Sequence, residues 1–343
     1  MNAPSWRDSV VLRWMLAALG LVLALSVTQE LARPETTDLI SAGTAESTLR
    51  RAVPILLAGL GGIWAERAGV VNIGLEGMMI LGTWFGAWGA LEFGPWWGMA
   101  IGAAGGAAGG LLHAVATVGF GVDHIISGVA INILAPALTR FLSREVFADR
   151  PGGGITQSPR VESVSSVDLP FVSGGDLLGW TTPDLFGWAA DRGWFLVSDL
   201  SALLSGITSS LSWATVLALA LVPASVIVLW RTRLGLRIRS AGEYPVAADS
   251  LGINVYRVKA LAVVVSGGLA GFGGAFIAIE QTGIYREAQV QGRGFIGLAT
   301  VIFGNWQPMG AFLGSLLFGF ADALQLRDRT AVHALLLLVG AAL

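Results

Sequence analysis

Apolar residues follow one another along most of this chain in stretches that contain few or no charged side chains. A helix rises 1.5 Å per residue, so about 20 apolar residues cross the hydrocarbon core of a bilayer. Long stretches nearly free of charge occupy residues 9–28, 68–91, 93–122, 125–139, 211–230, 260–279 and 294–321, and shorter ones 52–65 and 330–343. This pattern predicts an all-α integral membrane protein, a polytopic bundle of roughly 8–10 transmembrane or re-entrant helices. The first stretch has no clear cleavage site, so we expect a retained span.

Composition supports a membrane protein and excludes several other classes. Of the 343 residues, 54% are hydrophobic, 13% are charged and 47 are glycine. An ordinary soluble domain has about 25% charged residues and about 7% glycine. The composition excludes a disordered chain, a basic nucleic-acid binder and a typical soluble enzyme. Cysteine is absent and the three histidines are scattered. We therefore expect no metal and no cofactor.

The charged residues are sorted by region, and this predicts an orientation. Residues 231–259 contain six basic and two acidic side chains, a net charge of +4, whereas residues 143–210 contain four arginines and eight acids, a net charge of −4. Basic loops stay in the cytoplasm. We expect a multi-pass protein of the plasma (inner) membrane. Its residues 231–259 and its N-terminus should lie in the cytoplasm, and residues 143–210 should form an extracytoplasmic loop. The aromatic-rich second half of 143–210 predicts a helix in the membrane interface. A solvated loop and a docking surface for an external partner both remain open.

Two apolar segments are too short to span the membrane. They are residues 52–65 and 294–304, and the second is followed by an Asn-Trp-Gln-Pro corner at 305–308. An Ile-Gly-Leu tripeptide accompanies each segment, at 73–75 and at 296–298. Discontinuous helices at matching places in two halves mark the midplane site of a transporter. The pattern predicts two pseudo-repeated halves, and ordinary glycine kinks in a tightly packed bundle are the alternative.

Amide and carboxylate side chains within the apolar stretches are the candidates for a substrate pathway, because polar groups are costly inside a membrane. We select Asn72, Glu76, Asn132 and Asn305. Asn72 and Glu76 are four residues apart, so a helix would place them on one face. The side chains on that face would line a polar path or bind a neighbouring backbone. The glycine-rich runs at 102–110 and 267–274 are interpreted as small-residue faces that let helices approach closely.

Four segments together resemble a known family. They read ERAGVVNIGLEGMM at 66–79, DHIISGVAIN at 123–132, LGLRIRSAGEYPVAADSLGINV at 234–255 and SGGLAGFGGA at 266–275. These segments are similar to the permease subunits of nucleoside-type ABC importers, in the branched-chain amino acid, ribose and nucleoside permease family. The resemblance covers about residues 50–142 and 211–326. The first and third segments are its most specific parts.

The resemblance implies a division of labour among several proteins. An external substrate-binding lipoprotein would deliver a nucleoside or related small polar solute, a second permease subunit (a different paralogue) would complete the pathway, and a cytoplasmic ABC ATPase would supply energy. The chain itself contains no Walker A motif and no catalytic signature. An ion-coupled secondary transporter that uses Glu76, Asp123 or Asp322 is the alternative. An intramembrane enzyme is disfavoured, because no paired acids or metal ligands cluster in the sequence.

The basic segment also contains a predicted coupling helix that contacts the ATPase. Pro245 suits the first turn of a helix, and Glu243 lies just before it. Gly252 would end the helix in a left-handed conformation. Val246, Ala247, Ala248 and Leu251 would form a small apolar strip between these points. We assign ATPase coupling to Glu243, Ala247, Ala248 and Gly252.

Overall fold

A computed structural model describes residues 20, 41–167, 175–177, 180–181, 184–190, 192, 194, 197–209 and 211–327. Apart from residue 20, the predicted span at 9–28 lies outside this part of the chain, as does the apolar run at 330–343. The described residues divide into two compact units. The larger comprises 52–165 and 212–315, and the smaller comprises the described parts of 1–51, 166–211 and 316–343.

Helices dominate the described part of the chain. In order they are α1 (Ala42–Arg67), α2 (Leu75–Phe93), α3 (Pro95–Ala114), α4 (His124–Val146), α5 (Leu185–Ala190), α6 (Val197–Thr208), α7 (Trp213–Arg231), α8 (Arg233–Glu243), α9 (Pro245–Ser250), α10 (Val255–Phe276), α11 (Arg293–Phe303) and α12 (Pro308–Arg327). The strands are two residues each: β1 (Ser166–Val167), β2 (Asp176–Leu177), β3 (Trp180–Thr181) and β4 (Leu211–Ser212). In the smaller unit β2 pairs antiparallel with β3, with Asp176 opposite Thr181 and Leu177 opposite Trp180.

Four of the described helices are long and apolar enough to cross a membrane: Pro95–Gly119, His124–Val146, Trp213–Arg231 and Val255–Gln281. The first and last of these end in π-helical turns, at Val115–Gly119 and Ile277–Gln281. They correspond to the predicted spans at 93–122, 125–139, 211–230 and 260–279. The prediction of a helical membrane bundle is confirmed. Because α4 continues to Val146, the connection that follows it begins later than residue 143.

Glycines allow α2, α3 and α10 to pack closely at the centre of the larger unit. A Cβ added at Gly82 would lie 2.1 Å from the carbonyl oxygen of Gly271 on α10. A Cβ added at Gly106 on α3 would lie 2.3 Å from the carbonyl oxygen of Gly267. No side chain fits at such distances, so these helices touch through their backbones. The interpretation of the glycine runs as packing faces agrees with these contacts.

One predicted short helix is not short. The run at 52–65 is part of α1, which has 26 residues and is about 39 Å long at helical rise. The charges at Arg50 and Arg51 ended the apolar run but do not end the helix. Arg51 forms an ion pair with Asp322 at 2.9 Å within the smaller unit. The predicted pair of broken helices is therefore wrong at its first member, and the internal repeat stays a prediction.

The second predicted break is present. Helix α11 has only 11 residues, about 16 Å at helical rise. Asn305 and Trp306 follow with φ angles of 50° and 54°, a left-handed conformation that a continuing helix does not contain. Pro308 then starts α12. The chain thus leaves the right-handed helical conformation at residues 305–306, where the break was predicted.

The smaller unit contains two helices where one interfacial helix was predicted. α5 and α6 are separated by a short connection, and Trp188 packs edge-on against Trp194 with ring centroids 6.4 Å apart. The guanidinium carbon of Arg192 lies 4.2 Å from the Trp188 ring centroid, a cation–π contact. Aromatic rings beside a cation are typical of membrane interfaces. The interfacial position of these helices stays a prediction.

Candidate functional site

The turn between α1 and α2 is organised by Asn72, whose side chain is fully buried. Its Nδ2 group donates to Ser266 Oγ on α10 at 2.9 Å, and its Oδ1 atom accepts from the Gly74 N–H group at 3.1 Å. Helix α2 begins at Leu75, after Asn72. The prediction that Asn72 and Glu76 share one face of a helix is therefore wrong. Periodicity did not reveal that the helix starts between them.

Glu76 lies in the first turn of α2 and reaches across to the start of α11. Its Oε1 atom accepts from the Gly292 N–H group and its Oε2 atom from the Gly294 N–H group, both at 2.8 Å. The first N–H groups of a helix have no partner within the helix, and its N-terminus favours negative charge. Glu76 therefore supplies the cap of the short helix α11 from a different part of the chain.

Asn132 joins the same turn from α4. Its Oδ1 atom accepts from the Gly77 N–H group at 2.8 Å, and its Nδ2 group donates to the Ile73 carbonyl oxygen at 3.0 Å. The structure thus brings Asn72, Glu76 and Asn132 together around residues 72–77. Each of the three uses its polar atoms to bind backbone or buried side-chain groups.

Asn305 is not part of this cluster. It lies exposed after the last residue of α11, and about 15 Å of helix separates Gly304 from Gly294, which binds Glu76. Its neighbour Trp306 is held by the end of α1. The Arg67 guanidinium donates to the Trp306 carbonyl oxygen at 2.8 Å, and the Trp306 indole donates to Glu66.

Two cavities lie beside the cluster, and apart from Glu76 their lining residues were not predicted from the sequence. The inner cavity, of about 220 Å³, is bounded by Glu76, Thr139 and Gln291 among others. The outer cavity, of about 670 Å³, is bounded by Arg140, Phe141 and Arg144 on α4. Both are also lined by Pro136 and Glu287. The available signal was two arginines four residues apart at the end of an apolar run, which places them on one helix face.

His113, a buried residue in the last turn of α3, was also missed as a structural residue. Its Nδ1 atom is 2.9 Å from Ser127 Oγ on α4, and its Nε2 atom is 3.3 Å from the Val71 carbonyl oxygen. His124 receives the neighbouring Val71 N–H group on Nδ1 at 3.3 Å. The two histidines therefore fix the turn that leads to Asn72. Among the described residues no three His, Cys, Asp or Glu side chains are grouped so that they would hold a metal ion.

The predicted coupling helix is present as α9. Pro245 occupies its first turn, and Gly252 has a φ angle of 78°, the left-handed conformation expected after its end. Ala248, however, is only 2% exposed, so its side chain packs inside the chain and not on an outward strip. Ala247 is half-buried and Glu243 is exposed.

The large side chains of this segment point outward instead. Val246 is 71% and Leu251 is 82% exposed, and Tyr244 is exposed beside them. Residues 243–252 therefore present an apolar surface that touches little else in the described part of the chain.

Helix α8 connects residues 243–252 to the turn between α1 and α2. A Cβ added at Gly242, near the end of α8, would lie 2.3 Å from the Arg67 carbonyl oxygen and 2.9 Å from the Gly69 nitrogen. Gly69 itself has a φ angle of 77°. Backbone therefore contacts backbone between α8 and the turn that leads to Asn72.

A helical bundle with an interrupted helix, a buried polar turn beside two cavities and an exposed apolar loop defines a membrane transport subunit more readily than an enzyme. Residues 44–339 match the family described as the permease component of the branched-chain amino acid transport system. The chain belongs to this permease family.

Several relatives are similar to the chain over most of their length. It is 36% identical to the guanosine ABC transporter permease protein NupQ of Bacillus subtilis, over 82% of this chain and 81% of that protein. It is 38% identical to the nucleoside ABC transporter permease protein NupC of Lactococcus lactis, over 79% of this chain and 78% of that protein. A second permease of B. subtilis, NupP, is 24% identical over 79% of this chain and 70% of that protein. No solved structure matches the chain.

Proposed function

We propose that this chain is one of the permease subunits of an ABC importer that carries nucleosides across the plasma membrane. The proposal rests on the relatives that are named as guanosine or nucleoside permeases. NupQ and NupP come from one organism and both match this chain. We therefore expect the second permease subunit to be a different paralogue, so that the pathway lies in a heterodimer.

The exposed apolar surface of residues 243–252 carries the second part of the proposal, that a cytoplasmic ATPase drives the chain. Val246 and Leu251 lie outward on a segment whose only charged residues are Glu243 and Asp249. Exposed apolar patches of this kind mark sites of protein–protein contact. We propose that Tyr244, Val246 and Leu251 make the ATPase contact, with Glu243 and Ala247 at its edge. Ala248 and Gly252 fix the shape of the segment from within.

The backbone contact between α8 and the turn after α1 links residues 243–252 to the predicted substrate pathway. A shift of α9 would move α8, whose Gly242 rests on Arg67 and Gly69. That turn continues into Asn72 and Glu76, and Glu76 binds the start of α11. We propose that ATP-driven motion travels along this chain of contacts to the two cavities.

The alternative, an ion-coupled secondary transporter, receives little support from its three candidate acids. Asp123 caps α4 by accepting from the Ile125 and Ile126 N–H groups. Asp322 is paired with Arg51. Both oxygens of Glu76 accept backbone N–H groups. Oδ1 of Asp123, Oδ2 of Asp322 and both oxygens of Glu76 thus already have protein partners, whereas a carboxylate that takes up and releases an ion needs oxygens that change partners.

Purification of the intact assembly tests the proposal. We expect an ATPase, a second permease and an extracytoplasmic binding lipoprotein to copurify with this chain, and nucleoside uptake by the reconstituted complex to require ATP. Uptake that continues without ATP and stops when the ion gradient is collapsed would support the secondary transporter instead.

Orientation has its own test, because the chain contains no cysteine. We propose that 143–210 lies outside and 231–259 inside, since their net charges are −4 and +4. In intact cells an impermeant thiol reagent should label Ser165→Cys and should leave Ser250→Cys unlabelled until the membrane is opened. Labelling of Ser250→Cys from outside would refute this orientation.

A further inference from the structure

The two cavities beside α4 are neighbours. Pro136 and Glu287 line both the outer cavity of about 670 Å³ and the inner cavity of about 220 Å³, where Glu76 lies. The outer volume is within the range of about 300–1,000 Å³ that is usual for small-molecule sites. The outer cavity is therefore large enough for a small polar solute.

The inner cavity is lined by backbone in an unusual conformation. Ala288 and Gln291 have φ angles of 62° and 54°, in the left-handed region that residues with a Cβ rarely adopt. Both residues line the cavity. Such strain persists where the surroundings impose it, and it concentrates at ligand sites. Here the strained backbone holds Gln291, an exposed residue, at the cavity wall, and its side chain makes no hydrogen bond with any described residue.

The outer cavity has charges of both signs and an open aromatic ring. Arg140 Nη1 lies 3.7 Å from Glu287 Oε1, beyond hydrogen-bond distance, so this pair is loose. Phe141, the next residue on α4, is 60% exposed. The wall of this one cavity thus offers a ring face, guanidinium donors and carboxylate acceptors.

We propose that Phe141, Arg140, Glu287 and Gln291 form a recognition site for the nucleoside inside the permease, an inference that rests on the proposed function. The base stacks on the Phe141 ring, as bases do on exposed aromatic side chains. Arg140 and Glu287 bind polar groups of an uncharged ligand, since the charges of the two arginines and two glutamates that line the cavities cancel. Gln291, which both donates and accepts, binds the end of the ligand that reaches the inner cavity.

The two strained residues provide a matched pair of variants. Glycine adopts left-handed angles freely, so Gln291→Gly and Ala288→Gly both relieve strain and leave the fold intact. Only Gln291→Gly removes a polar side chain from the cavity. In the reconstituted importer with its ATPase and saturating binding protein, we expect Gln291→Gly to lower the rate of tritiated guanosine uptake about tenfold, the ratio for about 1.4 kcal/mol. Ala288→Gly should remain within about twofold of the unaltered chain.

The aromatic contact is tested in the same assay. Phe141→Ala should lower guanosine uptake about tenfold, within the range observed for loss of base–aromatic stacking, and Phe141→Tyr should restore it. Leu134→Ala changes another exposed apolar residue of α4, one that does not line either cavity. It serves as the control and should leave uptake unchanged. ATP hydrolysis stimulated by the loaded binding protein should persist in all these variants, because none of them lies in the 243–252 segment.

The outcomes separate this inference from the proposed function. ATP-dependent guanosine uptake that is equal in the unaltered chain, Gln291→Gly and Phe141→Ala would overturn the recognition site and leave the nucleoside importer standing. Equal losses in Gln291→Gly and Ala288→Gly would also overturn it, because loop shape and not the amide would then matter. A complex that takes up no nucleoside, even without substitutions, would instead refute the proposed function.

Discussion

The polar turn at residues 72–77 and the exposed segment at 243–252 are organised in opposite ways. In the turn, the side chains of Asn72, Glu76 and Asn132 bind backbone groups or a buried hydroxyl at 2.8–3.1 Å. In the segment, Val246 and Leu251 expose most of their surface. The turn is completed within the chain, whereas the segment leaves its apolar surface for something else to cover.

This difference separates residues that build the fold from residues that are available to a partner. A polar residue inside a membrane is a functional candidate by default. The hydrogen bonds of Glu76 and Asn132 give these residues a structural role, and their place in a substrate pathway stays a prediction. Substitutions in the turn should therefore reduce stability, and substitutions in the exposed segment should reduce transport without reducing stability.

Glu76→Gln should cause the largest loss of stability. The new amide nitrogen would face a backbone N–H group, so two donors would oppose each other where a charged acceptor was bound. We expect the free energy of unfolding to fall by about 3 kcal/mol, measured by thermal denaturation of the purified chain. Glu287→Gln is the control, because its loose, partly exposed pair with Arg140 is worth less than about 1 kcal/mol. Equal stability of the two variants would remove the capping role of Glu76.

Asn132→Ala should have the next largest effect. It leaves the Gly77 N–H group and the Ile73 carbonyl oxygen without their partner, and we expect a loss of about 2 kcal/mol. Asn305→Gly removes the other predicted pathway amide at an exposed position with a φ angle of 50°, which glycine adopts easily. Its unfolding should change by less than about 0.5 kcal/mol. A larger loss in Asn305→Gly than in Asn132→Ala would contradict this ranking.

Tryptophan substitutions should give a smaller contrast within the exposed segment itself. Ala248 is buried, so Ala248→Trp overfills its site and should destabilise the chain by at least about 1 kcal/mol. Leu251→Trp adds the same ring at an exposed position and should leave thermal denaturation unchanged. If both variants denature alike, the inward packing of Ala248 is wrong.

The sequence predicted those parts of the fold that depend on intrinsic residue preferences. Pro245 and Gly252 have restricted or special φ angles, so both ends of α9 were readable. The length of α1 was not readable, because Arg50 and Arg51 interrupted the apolar run. Long charged side chains reach polar surroundings or partners while their backbone stays helical, as Arg51 does with Asp322.

The candidate site was only partly predictable for a related reason. Asn72, Glu76 and Asn132 were selected as polar residues in apolar stretches, and the structure brings them together. Their partners lie far along the chain, as Gly292 does from Glu76, and one sequence does not reveal such pairs. The left-handed angles of Ala288 and Gln291 were equally hidden, since neither residue type favours them.

We propose that the exposed apolar surface of residues 243–252 couples this permease to an ATPase. The double substitution Val246→Ser and Leu251→Ser tests it most directly, since both side chains lie outside the packed interior. We expect a correctly inserted chain with unchanged thermal denaturation that no longer copurifies with the ATPase and no longer supports ATP-dependent nucleoside uptake. A variant that retains both the ATPase and the normal rate of uptake would refute this coupling role of residues 243–252.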